Sequence, residues 1–275
     1  MEANKIIITG GATRIGAAIA KRLAGRGVEI VIHFNKSKSN AEKLKKELSK
    51  KQTKVYLVKG DLSKEPDVNK ILKFAKSKLK YFDCLINNAS LFENDKLDNF
   101  TTDSWGRHLR TNLRTPALLS KEFSKNIKGK NNNIINIIDQ RVFKLTPYFF
   151  SYTISKTGLY TLTKTSAMNF APNIRVNGIA PGPTIKNKRQ SDIHFKKQYL
   201  ATPLAARRSG RLADWPRRAA RLPQGAHHVR RGQALLPRRA SADPRRRRRA
   251  VAWLLRKGQA GGRHVVGPAR AAALR

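Results

Sequence analysis

The sequence predicts an α/β protein in which helices cover both faces of a parallel β-sheet. Over the first 200 of the 275 residues, short apolar runs alternate with stretches of helical spacing. This alternation is typical of parallel strands joined by crossover helices. A glycine-rich turn directly after the first apolar run is a second sign of this fold class. Hydrophobic residues make up 40% of the chain, which excludes global disorder.

The predicted strands are six short runs rich in Ile, Val and Leu. They lie at residues 5–9, 29–34, 54–59, 83–87, 133–138 and 174–179. Between them, the spacing of apolar residues predicts helices at residues 14–27, 39–51, 65–80, 102–126 and 148–170. Gly27 ends the first helix in this prediction, because glycine is the commonest residue after a helix C-terminus.

The turn after the first strand reads TGGATRIG, from Thr9 to Gly16. Glycines allow a tight turn and a close approach of the backbone to a pyrophosphate, which then sits at a helix N-terminus. The alternative is an ordinary strand-to-helix turn. Its position before the first helix favours cofactor binding, and the candidate residues are Gly10, Arg14, Ile15 and Gly16.

The second strand ends without the acidic residue that usually binds the ribose hydroxyls of NAD. The chain continues there with Asn35, Lys36 and Ser37. A cation and a hydroxyl suit the 2′-phosphate of NADP, so these three residues favour NADP(H) over NAD. The alternative is that Lys36 is one more solvated lysine in a lysine-rich chain.

Tyr152 and Lys156 stand four residues apart in a predicted helix and therefore share one helix face. An ammonium group stabilises a nearby phenolate, so we expect Lys156 to lower the pKa of Tyr152 and to make it a usable acid–base. A Tyr-x-x-x-Lys pair alone is common and carries little weight.

The order and spacing of these motifs over roughly residues 5–200 resemble the short-chain dehydrogenase/reductase family. The resemblance rests on the glycine turn, the Tyr152–Lys156 pair and the motifs Asp61-Leu62, Asn87-Asn88-Ala89-Ser90, Asn112 and Pro181-Gly182. It implies a Rossmann-type, doubly wound parallel sheet of strand order 3-2-1-4-5-6, normally extended by a seventh strand, and a nicotinamide cofactor. It also implies that Asn112, Tyr152 and Lys156 are catalytic. Further cofactor contacts are implied for Asp61, Leu62, Asn88, Ala89, Ser90, Pro181 and Gly182.

Three departures from the usual family pattern resemble its pteridine reductase branch. The position 13 residues before Tyr152 is Asp139 in place of the usual Ser, the glycine turn carries Arg14, and Phe92 follows the fourth strand. In that branch the arginine reaches cofactor phosphate and pterin, and the phenylalanine stacks on the pterin ring. Asp139 could instead be a strand-end cap, and Phe92 a packing aromatic.

The chemistry of a carboxylate points in the same direction. A serine hydroxyl donates a hydrogen bond to the oxyanion that forms when a ketone is reduced, whereas an ionised carboxylate repels it. Reduction of a C=N bond instead places a proton on nitrogen, which a carboxylate favours. Asp139 therefore favours reduction of a C=N bond over reduction of a ketone. Together with the resemblance to the pteridine reductase branch, it predicts an NADPH-dependent reductase of a pterin-like substrate of the dihydropteridine or dihydrofolate type. A carbonyl or 3-oxoacyl reductase is the alternative.

The last 75 residues differ in composition from the rest of the chain. Gly, Ala, Arg and Pro supply 49 of them, whereas Phe, Tyr, Met, Ile, Asn and Lys supply 85 of the first 200 residues and 1 of the last 75. The amino acids that dominate the last 75 residues are encoded by GC-rich codons, and those that dominate the first 200 residues by AT-rich codons. We therefore interpret residues 1–204 as the reductase domain and residues 205–275 as an out-of-frame or chimeric tail, disordered or loosely helical, that lacks the seventh strand.

This interpretation puts the homo-oligomer expected of the family in doubt, and it leaves an inactive product as a further alternative. The tail has no Phe or Tyr to stack on bases, which argues against nucleic-acid recognition and leaves only non-specific polyanion binding. A single cysteine, no N-terminal signal pattern and no run of about 18 apolar residues predict a cytoplasmic protein without a membrane span. We expect no metal site.

Overall fold

A computed structural model of the chain describes residues 4–129, 132–186 and 191–200. Its six strands are β1 (Lys5–Ile8), β2 (Glu29–Phe34), β3 (Lys54–Lys59), β4 (Cys84–Asn87), β5 (Asn132–Ile137) and β6 (Ile174–Ile179). They form one sheet of order β3-β2-β1-β4-β5-β6 in which every pair is parallel. The predicted fold class and strand order are confirmed. The predicted loss of a seventh strand and the boundary at residue 204 lie outside the described residues.

Helices cover both faces of this sheet. They are α1 (Arg14–Leu23), α2 (Lys38–Ser49), α3 (Glu65–Leu79), α4 (Thr102–Leu109), α5 (Thr115–Ser124), α6 (Phe150–Phe170) and α7 (Asp192–Leu200). Successive side chains of a strand point to opposite faces. In β1, Ile7 therefore packs in a cluster with buried residues of α3 and α5, whereas Ile6 and Ile8 pack in a second cluster with buried residues of α1 and α2.

The first helix is shorter than predicted, because α1 ends at Leu23 and Ala24 is extended. Thr53 explains the early end: its hydroxyl accepts a hydrogen bond from Gly25 N at 2.9 Å and donates one to Gly25 O at 3.1 Å. Gly27 does adopt a left-handed conformation, with φ of 79°, but it lies in the following turn. The glycine signal was correct about the conformation and wrong about the end of the helix.

The predicted long helix at residues 102–126 is interrupted by a π-helical turn at Arg110–Arg114. In this turn Thr115 N–H bonds to Arg110 O, five residues back. Pro116, near the start of α5, has no N–H to continue the regular ladder. π-helical turns are frequent at functional sites, and this one carries the predicted catalytic residue Asn112.

The helix predicted to begin at residue 148 begins at Phe150, after a left-handed residue. Phe149 has φ of 58° and ψ of 44°, which is rare for a bulky side chain and costs on the order of 1–3 kcal/mol. Among the described residues, no helix is long and apolar enough to cross a bilayer. The same part of the chain contains no group of three or more His, Cys, Asp or Glu that could hold a metal ion.

Candidate active site

A cavity of about 670 Å³ lies at the carboxyl ends of the strands. Its lining includes residues that follow each of the six strands, namely Gly10, Asn35, Asp61, Asn88, Asp139 and Pro181. Open α/β sheets bind ligands at this edge, where the strand order reverses beside β1. Every predicted site residue lines the cavity except Asn112.

The glycine turn is closed by side chains from the segment after β4. Asn88 Nδ2 donates hydrogen bonds to Thr9 O and Gly10 O, at 2.9 and 3.0 Å. Gly10 has φ of 60°, and a Cβ on Gly16 would lie 2.6 Å from Asn88 Nδ2. Both positions therefore require glycine. The amide of Asn88, implied by the resemblance to support the cofactor ribose, braces the turn in this structure.

His33 is a buried residue of this site that the sequence analysis missed. Its Nδ1 accepts a hydrogen bond from Gly10 N–H at 3.1 Å, and its Nε2 donates to Gly60 O at 3.0 Å. Burial lowers the pKa of His33, which keeps the neutral form that can accept from Gly10. The available signal in the sequence was a histidine within the apolar run of β2. In the structure this histidine links the glycine turn to the end of β3.

Two cations stand where cofactor phosphates are expected. Arg14 is exposed at the start of α1, and its Nη2 donates to Ile185 O at 3.0 Å. Lys36 is exposed at the end of β2, near Asp61. Burial tends to raise the pKa of Asp61, but hydrogen bonds from Ser63 and the charges of Lys64 and Lys36 lower it overall. Among the described residues, neither Arg14 nor Lys36 has an ion-pair partner.

Asp139, Tyr152 and Lys156 come together at the ends of β5 and α6. The Tyr152 hydroxyl donates to Asp139 Oδ2 at 2.7 Å, and Arg141 N–H donates to Asp139 Oδ1 at 2.8 Å. Lys156 Nζ donates to Ile137 O at 2.8 Å and lies 5.8 Å from the centre of the Tyr152 ring. The fold thus brings the three predicted groups into one cluster. Asp139 also caps the short 3-10 helix Gln140–Val142. It is therefore both a capping residue at the end of the strand and a residue of the cavity.

The expected pKa shift of Tyr152 is corrected by the structure. Burial raises its pKa well above the ordinary 10.0, and the charge and hydrogen bond of Asp139 raise it further, while Ser90 and Arg141 act in the opposite direction. Lys156 is itself fully buried, and burial lowers its pKa from 10.5 to about 8 although Asp139 opposes the change. Tyr152 is therefore a neutral proton donor in this state of the protein.

Asn112 lies outside the cavity lining, in the π-helical turn. Its Oδ1 accepts from Leu91 N at 2.8 Å, and its Nδ2 donates to Leu91 O at 2.9 Å and to Ser155 Oγ at 3.0 Å. The amide is thus fully used in joining the segment after β4 to α6. These contacts place Asn112 behind the cavity wall, without a side-chain contact to Lys156.

Phe92 lines the cavity beside Tyr152. Its ring stacks on the Phe149 ring, with centroids 4.4 Å apart and planes 1° apart. It also meets the Tyr152 ring edge-on at 4.7 Å. The guanidinium carbon of Arg141 lies 4.4 Å from the Phe149 centroid and 5.9 Å from the Phe92 centroid. Arg141 and Phe149 are further residues that the sequence analysis missed.

A buried polar network supports the start of α6 beside Tyr152. Asp95 accepts from both Ser151 N, at 3.1 Å, and the Ser151 hydroxyl. His108 Nε2 accepts from Glu93 N at 3.2 Å, so the ring proton lies on Nδ1, which donates to Ser104 O at 2.9 Å and also contacts Ser151 Oγ at 2.8 Å. Burial lowers the pKa of His108 and keeps this tautomer neutral. The network joins the segment carrying Phe92 to the helix carrying Tyr152.

Comparisons with known proteins agree with this geometry. A family model described as short chain dehydrogenase matches residues 4–194. The chain is 30% identical over 199 residues to glucose 1-dehydrogenase 2 of Bacillus subtilis, covering 70% of this chain and 75% of that protein. It is 25% identical over 210 residues to 3-oxoacyl acyl-carrier-protein reductase FabG of Staphylococcus epidermidis, covering 76% and 86%. Among solved structures, FolM alternative dihydrofolate reductase 1 from Brucella canis, complexed with NADP, is 39% identical with a TM-score of 0.71, covering 78% of this chain and 85% of that one.

Proposed function

The chain belongs to the short-chain dehydrogenase/reductase family and is an NADP-dependent oxidoreductase, and from that premise we propose that it reduces a C=N bond of a pterin-like substrate. The observation that carries the proposal is the hydrogen bond from the Tyr152 hydroxyl to the Asp139 carboxylate. A carboxylate at this position suits a nitrogen that gains a proton and opposes an oxygen that gains negative charge. The likeness to an alternative dihydrofolate reductase supports the same substrate class.

The residues of the cavity fit NADPH. The absence of a Cβ at Gly16 lets Gly10 O and Asn88 Nδ2 pack against the start of α1, where backbone N–H groups favour a phosphate. Arg14 would hold the pyrophosphate at this turn, and Lys36 with Ser37 would hold the 2′-phosphate. Lys156 would hold the nicotinamide ribose. When bound, the reduced cofactor supplies a hydride, that is, two electrons with one proton, to the substrate carbon.

The protein supplies the second proton. The Tyr152 hydroxyl donates its proton to the substrate nitrogen, so the C=N bond becomes a CH–NH bond. Asp139 orients that hydroxyl before the transfer and stabilises positive charge on the nitrogen as the proton arrives. Phe92 offers a flat apolar surface to the pterin ring. Burial and the charge of Asp139 raise the pKa of Tyr152, so the proton stays on its hydroxyl before substrate binds.

The second candidate is a carbonyl or 3-oxoacyl reductase, which the similarity to FabG favours. It uses the same cofactor and the same Tyr152–Lys156 pair. The two candidates differ at Asp139, because an oxyanion gains nothing from an ionised carboxylate.

An assay that follows NADPH oxidation at 340 nm separates the two candidates. We expect turnover of dihydrobiopterin and little or none of acetoacetyl-CoA. Replacing Asp139 with Ser should lower pterin turnover by about 10²-fold, the usual contribution of a general acid–base group, and should leave or improve carbonyl turnover.

Tyr152→Phe is the matched control, because it removes only the hydroxyl that carries the proton. It should abolish turnover of both substrates while NADPH still binds. Unchanged pterin turnover in Asp139→Ser, or faster reduction of acetoacetyl-CoA than of dihydrobiopterin by the wild type, contradicts the proposal.

A further inference from the structure

We propose that Arg141 binds an anionic group of the substrate, so that the preferred pterin carries a carboxylate beyond its reducible ring. This inference rests on the proposed function and names the class of substrate within it. It concerns a side chain that the reduction step itself does not use. Asp139 is held by the main-chain N–H of Arg141, so the guanidinium group takes no part in that hydrogen bond.

The charges around the cavity single out Arg141. In the described part of the chain, five cationic side chains line the cavity: Arg14, Lys36, Arg107, Arg141 and Lys156. Arg107 forms ion pairs with Glu93 at 3.0 Å and Asp103 at 2.9 Å. Lys156 is buried against Ile137 O. The glycine turn and the end of β2 assign Arg14 and Lys36 to cofactor phosphates. Arg141 remains, and it has no ion-pair partner among the described residues.

The guanidinium group of Arg141 is oriented by two contacts. It stacks at 4.4 Å from the Phe149 centroid, and its Nη1 donates to Thr146 Oγ1 at 3.1 Å. A guanidinium has five N–H donors, and that bond is the one side-chain hydrogen bond of Arg141 within the described residues. The remaining donors form a planar fork that matches the two oxygens of a carboxylate.

The position of Arg141 also fits a substituent on the ring being reduced. Phe92, the expected partner of the pterin ring, contacts Tyr152 at 4.7 Å, and the guanidinium carbon lies 5.9 Å from the Phe92 centroid. Arg141 therefore lies about one aromatic ring away from the reacting groups. Asp139 accepts hydrogen bonds from Tyr152 and from the main chain of Arg141, and among the described residues it forms no ion pair with the Arg141 guanidinium. A carboxylate joined to the pterin through an aryl spacer, as in dihydrofolate, carries the charge that this guanidinium would bind on a substituent that extends away from the reducible ring.

The test compares dihydrofolate with dihydrobiopterin, which has an uncharged side chain, in the NADPH assay. Arg141→Met keeps an unbranched side chain against Phe149 and removes the charge, and Arg141→Lys returns the charge without the fork. We expect Arg141→Met to raise the KM for dihydrofolate about tenfold or more while its kcat changes less than about threefold. The KM for dihydrobiopterin should change less than about threefold, and Arg141→Lys should recover part of the loss for dihydrofolate alone. Arg22→Met, at an exposed position on α1, is the control.

Equal losses for both substrates overturn the proposal, because Arg141 would then act through Asp139 or Phe92. Unchanged kinetics also overturn it. Titration of the NADP⁺-loaded protein with folate and with biopterin measures the site without turnover. If the wild type reduces neither substrate, the proposed function fails, and this titration still decides the inference: weaker binding of folate alone by Arg141→Met supports it, and absent or unchanged folate binding overturns it.

Discussion

The charge state of the buried Lys156 amine affects the stability of the protein and its affinity for the cofactor in opposite directions. Burial lowers its pKa from 10.5 to about 8 in the folded chain. Between pH 8 and 10.5 the unfolded chain therefore binds more protons at this group than the folded chain does, so its contribution to stability rises with pH and is lost as the pH falls through about 8. The negative phosphates of a bound cofactor favour the protonated amine. Cofactor binding should therefore weaken between pH 8 and 10.5, the range over which the contribution of Lys156 to stability increases.

We predict that the affinity for NADPH falls as the pH rises through about 8. Above that pH, binding must return a proton to Lys156, and the Kd can rise by up to about tenfold per pH unit. Fluorescence titration between pH 7 and 9.5 measures this dependence. Lys156→Met should bind more weakly at pH 7 and should show a flatter profile. An identical slope in the wild type and the variant would assign the effect to other groups.

The residues of the site divide into those that a motif marks and those that only the fold brings together. The glycine turn, the end of β2 and the pair Tyr152–Lys156 lie in local patterns, and the cavity contains all of them. Asn112 carries a family pattern, but its amide serves the loop at Leu91. His33 and Arg141 belong to no spaced pattern, because their roles arise from contacts such as that of His33 with Gly10, 23 residues away. Sequence spacing does not report such contacts.

At the scale of elements, the network of Asp95, Ser151 and His108 joins the segment after β4 to the start of α6. All three side chains are buried, with exposed fractions of 7%, 0% and 0%. A buried polar group that loses its partner costs about 1–3 kcal/mol. Because Tyr152 follows Ser151 directly, this network determines both the stability of the helix start and the position of the proton donor.

We predict that Ser151→Ala lowers the free energy of unfolding by about 1–3 kcal/mol, because it removes the hydroxyl that donates to the buried Asp95 carboxylate. Urea unfolding measures the change. Thr165→Ala on the exposed face of α6 is the control, since its hydroxyl bonds only to the helix backbone, and it should cost less than about 0.5 kcal/mol. We also expect a lower kcat for Ser151→Ala with little change in the Kd of NADPH. Equal stability of the two variants would contradict a contribution of this network to the stability of the protein.

The helices show where sequence patterns stop being informative. Apolar spacing predicted α1 to α6, with α4 and α5 as one helix, and did not predict α7. The end of α1 depends on Thr53, a residue of the connection between β2 and β3. α4 and α5 are divided by the π-helical turn Arg110–Arg114, which Pro116 follows directly after Thr115. Periodicity reports which face is buried, whereas the ends depend on hydrogen bonds to distant residues.

At the scale of the whole molecule, the alternation of strands and helices and the family resemblance together predicted the sheet order, and the structure confirms it. Composition marks a second feature of the chain. Residues 1–200 contain 38 Lys and Arg against 15 acidic residues, whereas residues 201–275 contain 20 against 2. The interpretation of residues 205–275 as an aberrant tail rests on sequence alone and stays a prediction.

We predict that limited trypsin digestion cuts quickly at several arginines after Arg207 and leaves a resistant fragment of about the first 200 residues. Two acidic residues cannot neutralise twenty basic ones, so segments of this composition have little reason to dock on a basic domain. Mass spectrometry of the early products identifies the cuts. Added NADPH should slow digestion of the fragment and leave the early cuts unchanged. Equal resistance along the whole chain would contradict the prediction.

Arg141 contributes to Asp139 through its main chain and to the cavity through its side chain. Any residue except proline can supply the N–H that holds the carboxylate. With the role proposed for the Arg141 side chain, a substitution at this position would change the class of substrate while the main-chain N–H still held Asp139. Catalysis and substrate selectivity would then depend on two different parts of one residue, its main chain and its side chain. Related enzymes could differ in substrate at this position while keeping the same reaction.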